Sequence, residues 1–359
     1  MNRPQSPPRK GRGAVNNSEG RFESLRHEAF DDGWGAEDES PPPLKTTVRE
    51  DRVRTIIARN DSPDLPFDQS INPYRGCEHG CIYCYARPSH AYLGLSPGLD
   101  FESRLFYKPD AAALLKRELV APAYRCRVLA LGTNTDPYQP IERDLIVMRS
   151  ILEVLHETNH PVCITTKGSL IERDLDILAV MARRNLVRVG ISITTLNPAL
   201  ARRLEPRACA PRRRLATIHR LSAAGIPVRV MVAPVIPVLT DAEMEAVLEA
   251  AAEAGACTAG YVLLRLPGEV AGLFRAWLDA HFPLKAEHVM SLVRQTRGGR
   301  DNDAAFGRRM TGTGEFAELI ARRFALACQR LGLSDDGAEL DTALFRPPAG
   351  SVPQPDLFD

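Results

Sequence analysis

Residues 70–87 read SINPYRGCEHGCIYCYAR, and three thiols, Cys77, Cys81 and Cys84, stand in them at C-x3-C-x2-C spacing just after a short β-branched start. Three thiols in a dozen residues suggest a metal or redox centre. Gly76 and Gly80 flank the first two thiols and let the chain wrap a compact object, because glycine has no Cβ and tolerates positive φ. Two kinds of metal remain open on the residues alone. Structural zinc needs a closed tetrahedral set, so His79 or His90 would have to be a fourth ligand, whereas three Cys hold an iron-sulfur cluster with one iron left open.

Working outward, short apolar runs alternate with amphipathic stretches, the boundaries marked by Gly, Pro, Asn or Asp. The strand candidates are 70–74, 127–132, 162–166, 187–194, 227–233 and 258–264; the clearest helices are 141–157, 172–184, 212–224 and 241–254. Thr240 is read as the N-cap of the last, with Glu243 completing a capping box. A helix in each crossover requires parallel strands. Six βα units suit an open doubly wound sheet or an incomplete barrel, and periodicity does not choose. Beyond Leu266 the alternation stops. Helices at 273–278, 288–295 and 314–331 form a C-terminal appendage, with a Gly/Arg-rich interval between the last two.

Residues 1 to about 60 carry Pro7 and Pro8, the acidic run 37–39, a Pro triplet at 41–43 and no sustained period, and so read as a flexible extension. The Pro-rich tail from about residue 334 is expected to be loose. The 359 residues are 44% hydrophobic and 25% charged, enough for a sizeable core, and 46 Lys+Arg against 45 Asp+Glu gives +1, with no global field to attract a polyanion. With no apolar run of about 18 residues and no signal-like start, a cytoplasmic, non-membrane protein is expected. Cys126, Cys163, Cys209, Cys257 and Cys328 are scattered singly and read as reduced core residues rather than a disulfide framework.

The thiol loop, with Tyr83 before its third Cys, resembles the cluster loop of radical S-adenosylmethionine (SAM) enzymes. The likeness extends over about residues 65–267, where CIYCYA, TNTD, TTKG and ISIT…LEPR…RRLATI look like the spore photoproduct lyase branch. INPYRGCEHGCIYCYARPSH with SPGLDFE looks like a bacterial subgroup of that branch to which no substrate attaches. The resemblance implies an α/β fold, a six-unit partial (βα) TIM-type barrel with a C-terminal helical appendage. Its divisions are a 1–60 extension, a 61–270 radical SAM core, a 271–333 cap and a 334–359 tail. It implies a 4Fe-4S cluster on Cys77, Cys81 and Cys84 that chelates SAM, cleavage of SAM to a 5′-deoxyadenosyl radical, and a low-potential electron donor such as flavodoxin or ferredoxin. The motifs fall at the C-terminal ends of the strand candidates, where barrel enzymes gather their chemistry.

Further roles come residue by residue. Lys167, in TTKG, matches a lysine that pairs with the SAM carboxylate. Ser192, in a buried strand, matches a SAM contact, and Tyr83 is expected near the adenine. Asn134 and Asp136 are placed for substrate or ribose contact, with an Asx turn as the plain alternative. Glu205 and Arg207 are candidates to orient SAM, whereas Arg212, Arg213 and Arg214 read as a solvated face. For Arg297, Arg300, Arg308 and Arg309 the plain reading is a mobile Gly/Arg loop, with a phosphate-binding flap as the alternative, since no aromatic stacking platform is evident beside them. Tyr83 and Tyr85 match two tyrosines that flank the third cluster Cys in spore photoproduct lyases. The thiol that returns hydrogen to product in those enzymes aligns with Thr133. An unassigned substrate is therefore expected, with lyase or oxidoreductase chemistry both open. DNA photoproduct repair is the nearer alternative, and a zinc-stabilised nucleic-acid-binding protein the more distant one.

Overall fold

The structure is a computed structural model and describes residues 9–22, 44–334 and 339–348. The Pro pair, the acidic run, the Pro triplet and the last eleven residues lie outside the described residues. The strands are β1 (Thr47–Glu50), β2 (Ile57–Arg59), β3 (Gln69–Ile71), β4 (Tyr74–Arg75), β5 (Arg104–Tyr107), β6 (Leu129–Leu131), β7 (Val162–Thr166), β8 (Val187–Ser192), β9 (Val228–Val235) and β10 (Thr258–Leu263). The main sheet has the order β10-β9-β8-β7-β6-β3-β2. Its six strands from β3 to β10 run parallel, β2 is antiparallel to β3, and hydrogen bonds do not close it into a barrel.

The six parallel strands are the six read from sequence, because a strand covered on both faces must be apolar along its whole length. β8 is buried at every position but Arg188. The helices Val147–Glu157, Leu175–Arg183, Pro211–Ala223 and Met244–Glu253 supply the crossovers, and one hydrophobic core joins them to the sheet.

The helix expected at 141–157 is in fact two. Ile146 takes φ +55°, and the buried Glu142 carboxylate accepts the Met148 N–H at 3.2 Å, starting a new helix there. Thr240 and Glu243 do not form the expected capping box. The Thr240 hydroxyl accepts the Ile236 N–H at 2.8 Å, and Glu243 turns away to the Thr195 hydroxyl and Leu196 N–H, each at 2.7 Å.

Parts of the stretch read as a loose extension are packed. β1 pairs with β5 in a second sheet, order β1-β5-β4, and Gly13, Ala14 and Val15 are buried. The segment is held by partners far away in sequence, which local composition does not reveal. In the tail, Phe345 packs against Tyr124 and His160 at 5.7 and 5.2 Å between ring centres.

A second core ties the C-terminal helices to the thiol loop. Val270–His281 and Ala286–Gln295 pack on Cys81, Ile82 and Tyr83, and the fully buried Trp277 donates its indole N–H to the Arg203 carbonyl at 3.1 Å. Among the described residues no helix is long and apolar enough to cross a membrane.

Candidate active site

The thiol loop starts where β4 ends. Gly76 has φ +75°, and a Cβ there would lie 2.7 Å from the Leu105 side chain and 2.8 Å from the Phe101 carbonyl, so only glycine fits. The Cys77 N–H donates to that carbonyl at 3.0 Å, and tight turns follow from Gly80 N–H to Cys77 O and from Cys84 N–H to Cys81 O. Cys77 and Cys81 are buried and Cys84 nearly so. Burial pushes all three thiols up. The charges of Asp136, Cys81 and Cys84 raise Cys77 further, and Cys81 reaches about 12 as burial and Glu205 outweigh Lys167. Cys84 thus opposes ionisation of both other thiols, and Cys81 that of Cys77. A positive metal centre reverses that balance, since a coordinating thiol is held deprotonated; these donors suit an iron-sulfur cluster.

The loop hangs on one buried cation that the sequence reading passed over. Arg87 is fully buried and donates to the carbonyls of Cys81 (2.9 Å), Gly80 (3.1 Å), Pro97 (3.1 Å) and Gly98 (2.9 Å), and to the Glu102 carboxylate (2.5 Å). Glu102, also fully buried, accepts the N–H groups of Gly13 (2.9 Å) and Ala14 (2.8 Å). Arg12 donates to the Glu102 carbonyl, and a Cβ on Gly13 would stand 1.8 Å from the Gly80 carbonyl. An N-terminal strap is thereby pressed against the loop. It continues through Asn17, bonded to Asp100, to Arg21, paired with Glu269 at 2.9 Å.

At the strand ends, Lys167 follows β7 and Ser192 closes β8, and Lys167 Nζ donates to Ser192 Oγ at 2.9 Å. Lys167 also stands 5.9 Å over the Tyr83 ring. The Tyr83 hydroxyl donates to Glu205, which also accepts from Thr194 at 2.6 Å and pairs with Arg214. Burial would raise Glu205, yet Arg214 and Lys167 hold it at about 2. Arg214, read as part of a solvated face, is 2% exposed, because it neutralises a carboxylate beneath the loop.

Asp136 adopts the Asx turn, accepting the Tyr138 N–H at 2.9 Å, and also bridges to β7 through the Thr166 hydroxyl (2.6 Å) and Lys167 N–H (2.7 Å). Burial opposes its charge, but His79, 3.3 Å away without hydrogen-bond alignment, and these donors hold it at about 2. Asn134 donates its backbone N–H to Asn72, and Thr133 exchanges hydrogen bonds with the same Asn72 side chain. The exposed Tyr85 donates to the Thr133 carbonyl. Arg207 turns to Glu78 and Thr46, and so ties the loop to the start of β1. Of the Gly/Arg loop, Arg297 is instead a buried tether, bonded to the carbonyls of Leu263, Leu264, Arg308 and Arg309. Arg309 pairs with Asp64, and Phe306 supplies an exposed ring beside it that the sequence reading did not count.

Cys77, Cys81, Cys84, Tyr83, Lys167, Ser192 and Glu205 therefore form one connected neighbourhood, to which Asp136 is joined through Lys167. Arg87, Glu102 and the strap were missed. Their only sequence signal is that Arg87 directly follows the CYA of the loop and Glu102 ends SPGLDFE.

A family model described as "Radical SAM superfamily" matches residues 71–251. An uncharacterised protein of Mycobacterium tuberculosis is 41% identical over 233 residues, 64% of this chain and 68% of that protein. Another from Methanocaldococcus jannaschii is 27% identical over 173 residues, 48% and 62% of the two chains. Among solved structures, spore photoproduct lyase complexed with dinucleoside spore photoproduct superposes with a TM-score of 0.57 at 16% identity, over 79% of each chain. A spore photoproduct lyase mutant with bound AdoMet and the same dinucleoside gives 0.56 at 16% identity, over 79% of this chain and 78% of that one.

Proposed function

The chain belongs to the radical SAM superfamily and is an enzyme with the mixed α/β, partial TIM-barrel fold of that family, and on that premise we propose that Cys77, Cys81 and Cys84 hold a 4Fe-4S cluster that works with SAM. The observation carrying this reading is the set of three thiols in one loop at the ends of the parallel strands, all pushed up by burial, with Cys84 opposing ionisation of Cys77 and Cys81. When bound, cluster and SAM supply an electron that cleaves the sulfonium and a 5′-deoxyadenosyl radical that takes hydrogen from substrate.

The chain's own residues orient and exclude. Lys167, a cation at the end of β7, is the partner for the SAM carboxylate, with Ser192 beside it. Glu205 and Arg214 neutralise each other below Tyr83 and hold its ring under the loop. Asp136 grips the Lys167 backbone and so sets where that side chain starts. Asn134 stands at the same strand ends for ribose or substrate contact. Trp277 and the C-terminal helices close the apolar side of the loop against water.

Lys167→Ala and Ser192→Ala are each expected to leave iron content unchanged and to weaken SAM binding about tenfold, the loss of one charge-assisted hydrogen bond. Spectral titration of the reconstituted protein with SAM measures it, and unchanged affinity in both variants overturns their assignment. The zinc alternative fares worse on donors. His79 faces Asp136, and His90 has its Nε2 on the Arg104 carbonyl at 2.9 Å.

The substrate is proposed to differ from the spore photoproduct. The position beside Tyr85 is Thr133, engaged with Asn72, and an O–H bond is far too strong to return hydrogen to a carbon radical as a thiol does. Reduced enzyme with SAM and DNA containing the spore photoproduct is expected to restore no thymine catalytically. Efficient repair by the wild type would establish DNA repair instead.

A further inference from the structure

Arg265 follows β10 at the same end of the sheet as the thiol loop, partly buried. Its guanidinium carbon lies 4.7 Å from the centre of the Tyr85 ring, and its Nη1 has only the Met310 thioether, at 3.4 Å, as a hydrogen-bond partner among the described residues. The neighbouring arginines have their Nη groups engaged, and Arg297 leaves only its buried Nε without a partner among the described residues. Arg87 and Arg214 have carboxylates and carbonyls, Arg297 has four carbonyls, and Arg309 holds Asp64 through contacts of 2.6 and 2.8 Å.

The local charge is unbalanced as well. Arg265 stands near both Arg297 and Arg309: burial chiefly lowers Arg265, Tyr85 opposes this, Arg309 adds to it, and Asp64 and Cys84 oppose it more weakly, while burial and then Arg265 bring Arg297 to about 10. Of the acids that reach them, Asp64 is taken by Arg309 and Asp303 pairs with Arg308. The same rim carries two exposed rings, Tyr85 at 45% and Phe306 at 55%, each with a guanidinium over it. Open guanidinium donors next to exposed rings are what phosphate and a flat heterocycle together require.

We propose that Arg265 receives a phosphate ester of the substrate, with Tyr85 and Phe306 as stacking surfaces, so that the substrate class is a single-stranded oligonucleotide. This deepens the proposed function and rests on it for the reaction, but the binding test does not depend on turnover. Tyr85 directly follows Cys84 in the chain, which sets the site beside the thiol loop.

The experiment is fluorescence anisotropy of a labelled single-stranded oligonucleotide of about ten nucleotides, within the usual site size, on reconstituted protein with SAM. Wild type is expected to bind, with affinity that falls as salt rises. Arg265→Gln should weaken binding at least about tenfold and Arg265→Lys less, since Lys keeps the charge but not the fork. Phe306→Ala, at an exposed ring, should weaken it by a smaller factor. Arg322→Gln on the C-terminal helix should not. Inorganic phosphate should compete, and an oligoglutamate peptide should not. Failure of wild type to bind, equal binding by Arg265→Gln that loads iron normally, or displacement by oligoglutamate as effective as by phosphate overturns the proposal. Iron content and SAM cleavage on the same preparations separate the two ideas: iron-loaded protein that cleaves SAM but ignores the oligonucleotide removes only the phosphate site, whereas iron-free protein removes the cluster.

Discussion

Alanine at any one of Cys77, Cys81 or Cys84 is expected to bring SAM cleavage to background and to strip the brown protein of most of the roughly four irons per chain that a 4Fe-4S centre holds. The expected loss is this large because each thiolate is a covalent ligand of the cluster. The measurement is iron and sulfide after anaerobic reconstitution, with 5′-deoxyadenosine followed under reduction. Cys126, Cys163, Cys209, Cys257 and Cys328 provide the contrast. Alanine at each should keep iron and cleavage, with at most the stability loss of a small truncation. Cys209 is the informative one of these, since its Sγ accepts the Ser169 N–H at 3.2 Å two residues beyond Lys167. A stoichiometric, colourless zinc protein would overturn the cluster assignment.

Arg87→Met is expected to cost about 3–5 kcal/mol, because it leaves the fully buried Glu102 carboxylate without its cation. Thermal unfolding of the cluster-free protein should fall by about 5–10 °C. The reconstituted variant should also lose iron to a chelator faster than wild type, since four carbonyls that shape the loop lose their donor together. Glu102→Gln should do less, as the amide oxygen can still accept from the strap. The double variant should recover part of the loss, which a double-mutant cycle measures. A wild-type unfolding temperature and iron retention in Arg87→Met would show that the pair does not shape the loop.

Strands and cysteines were legible because their signals are local. β7 was read at both of its ends, since Val162–Thr166 is a β-branched run bounded by Pro161 and Gly168. Lys167 was placed where its strand stops, whereas Ser192 was singled out by the family match inside a strand read to 194, and the structure ends that strand at Ser192, beside Lys167. The two-part helix at Ile146 was not legible. Its break depends on a buried carboxylate whose other partners, Tyr74 and Arg173, lie 68 positions before and 31 after it.

By itself the sequence determined the six parallel strands, the spacing of the three thiols and the residues at the strand ends, because hydrophobic period and ligand spacing are properties of neighbouring positions. Tertiary structure alone decided what a charged side chain is for. Arg214 looked like a surface cation and is buried on Glu205; Arg297 looked like part of a mobile loop and is a tether of four carbonyls; Gly13 and Ala14 looked like loose chain and meet Glu102 across 89 and 88 positions. A charge is tolerated in a low-dielectric interior only with a partner, and the partner is chosen by the folded chain, at distances along the sequence that no periodicity spans.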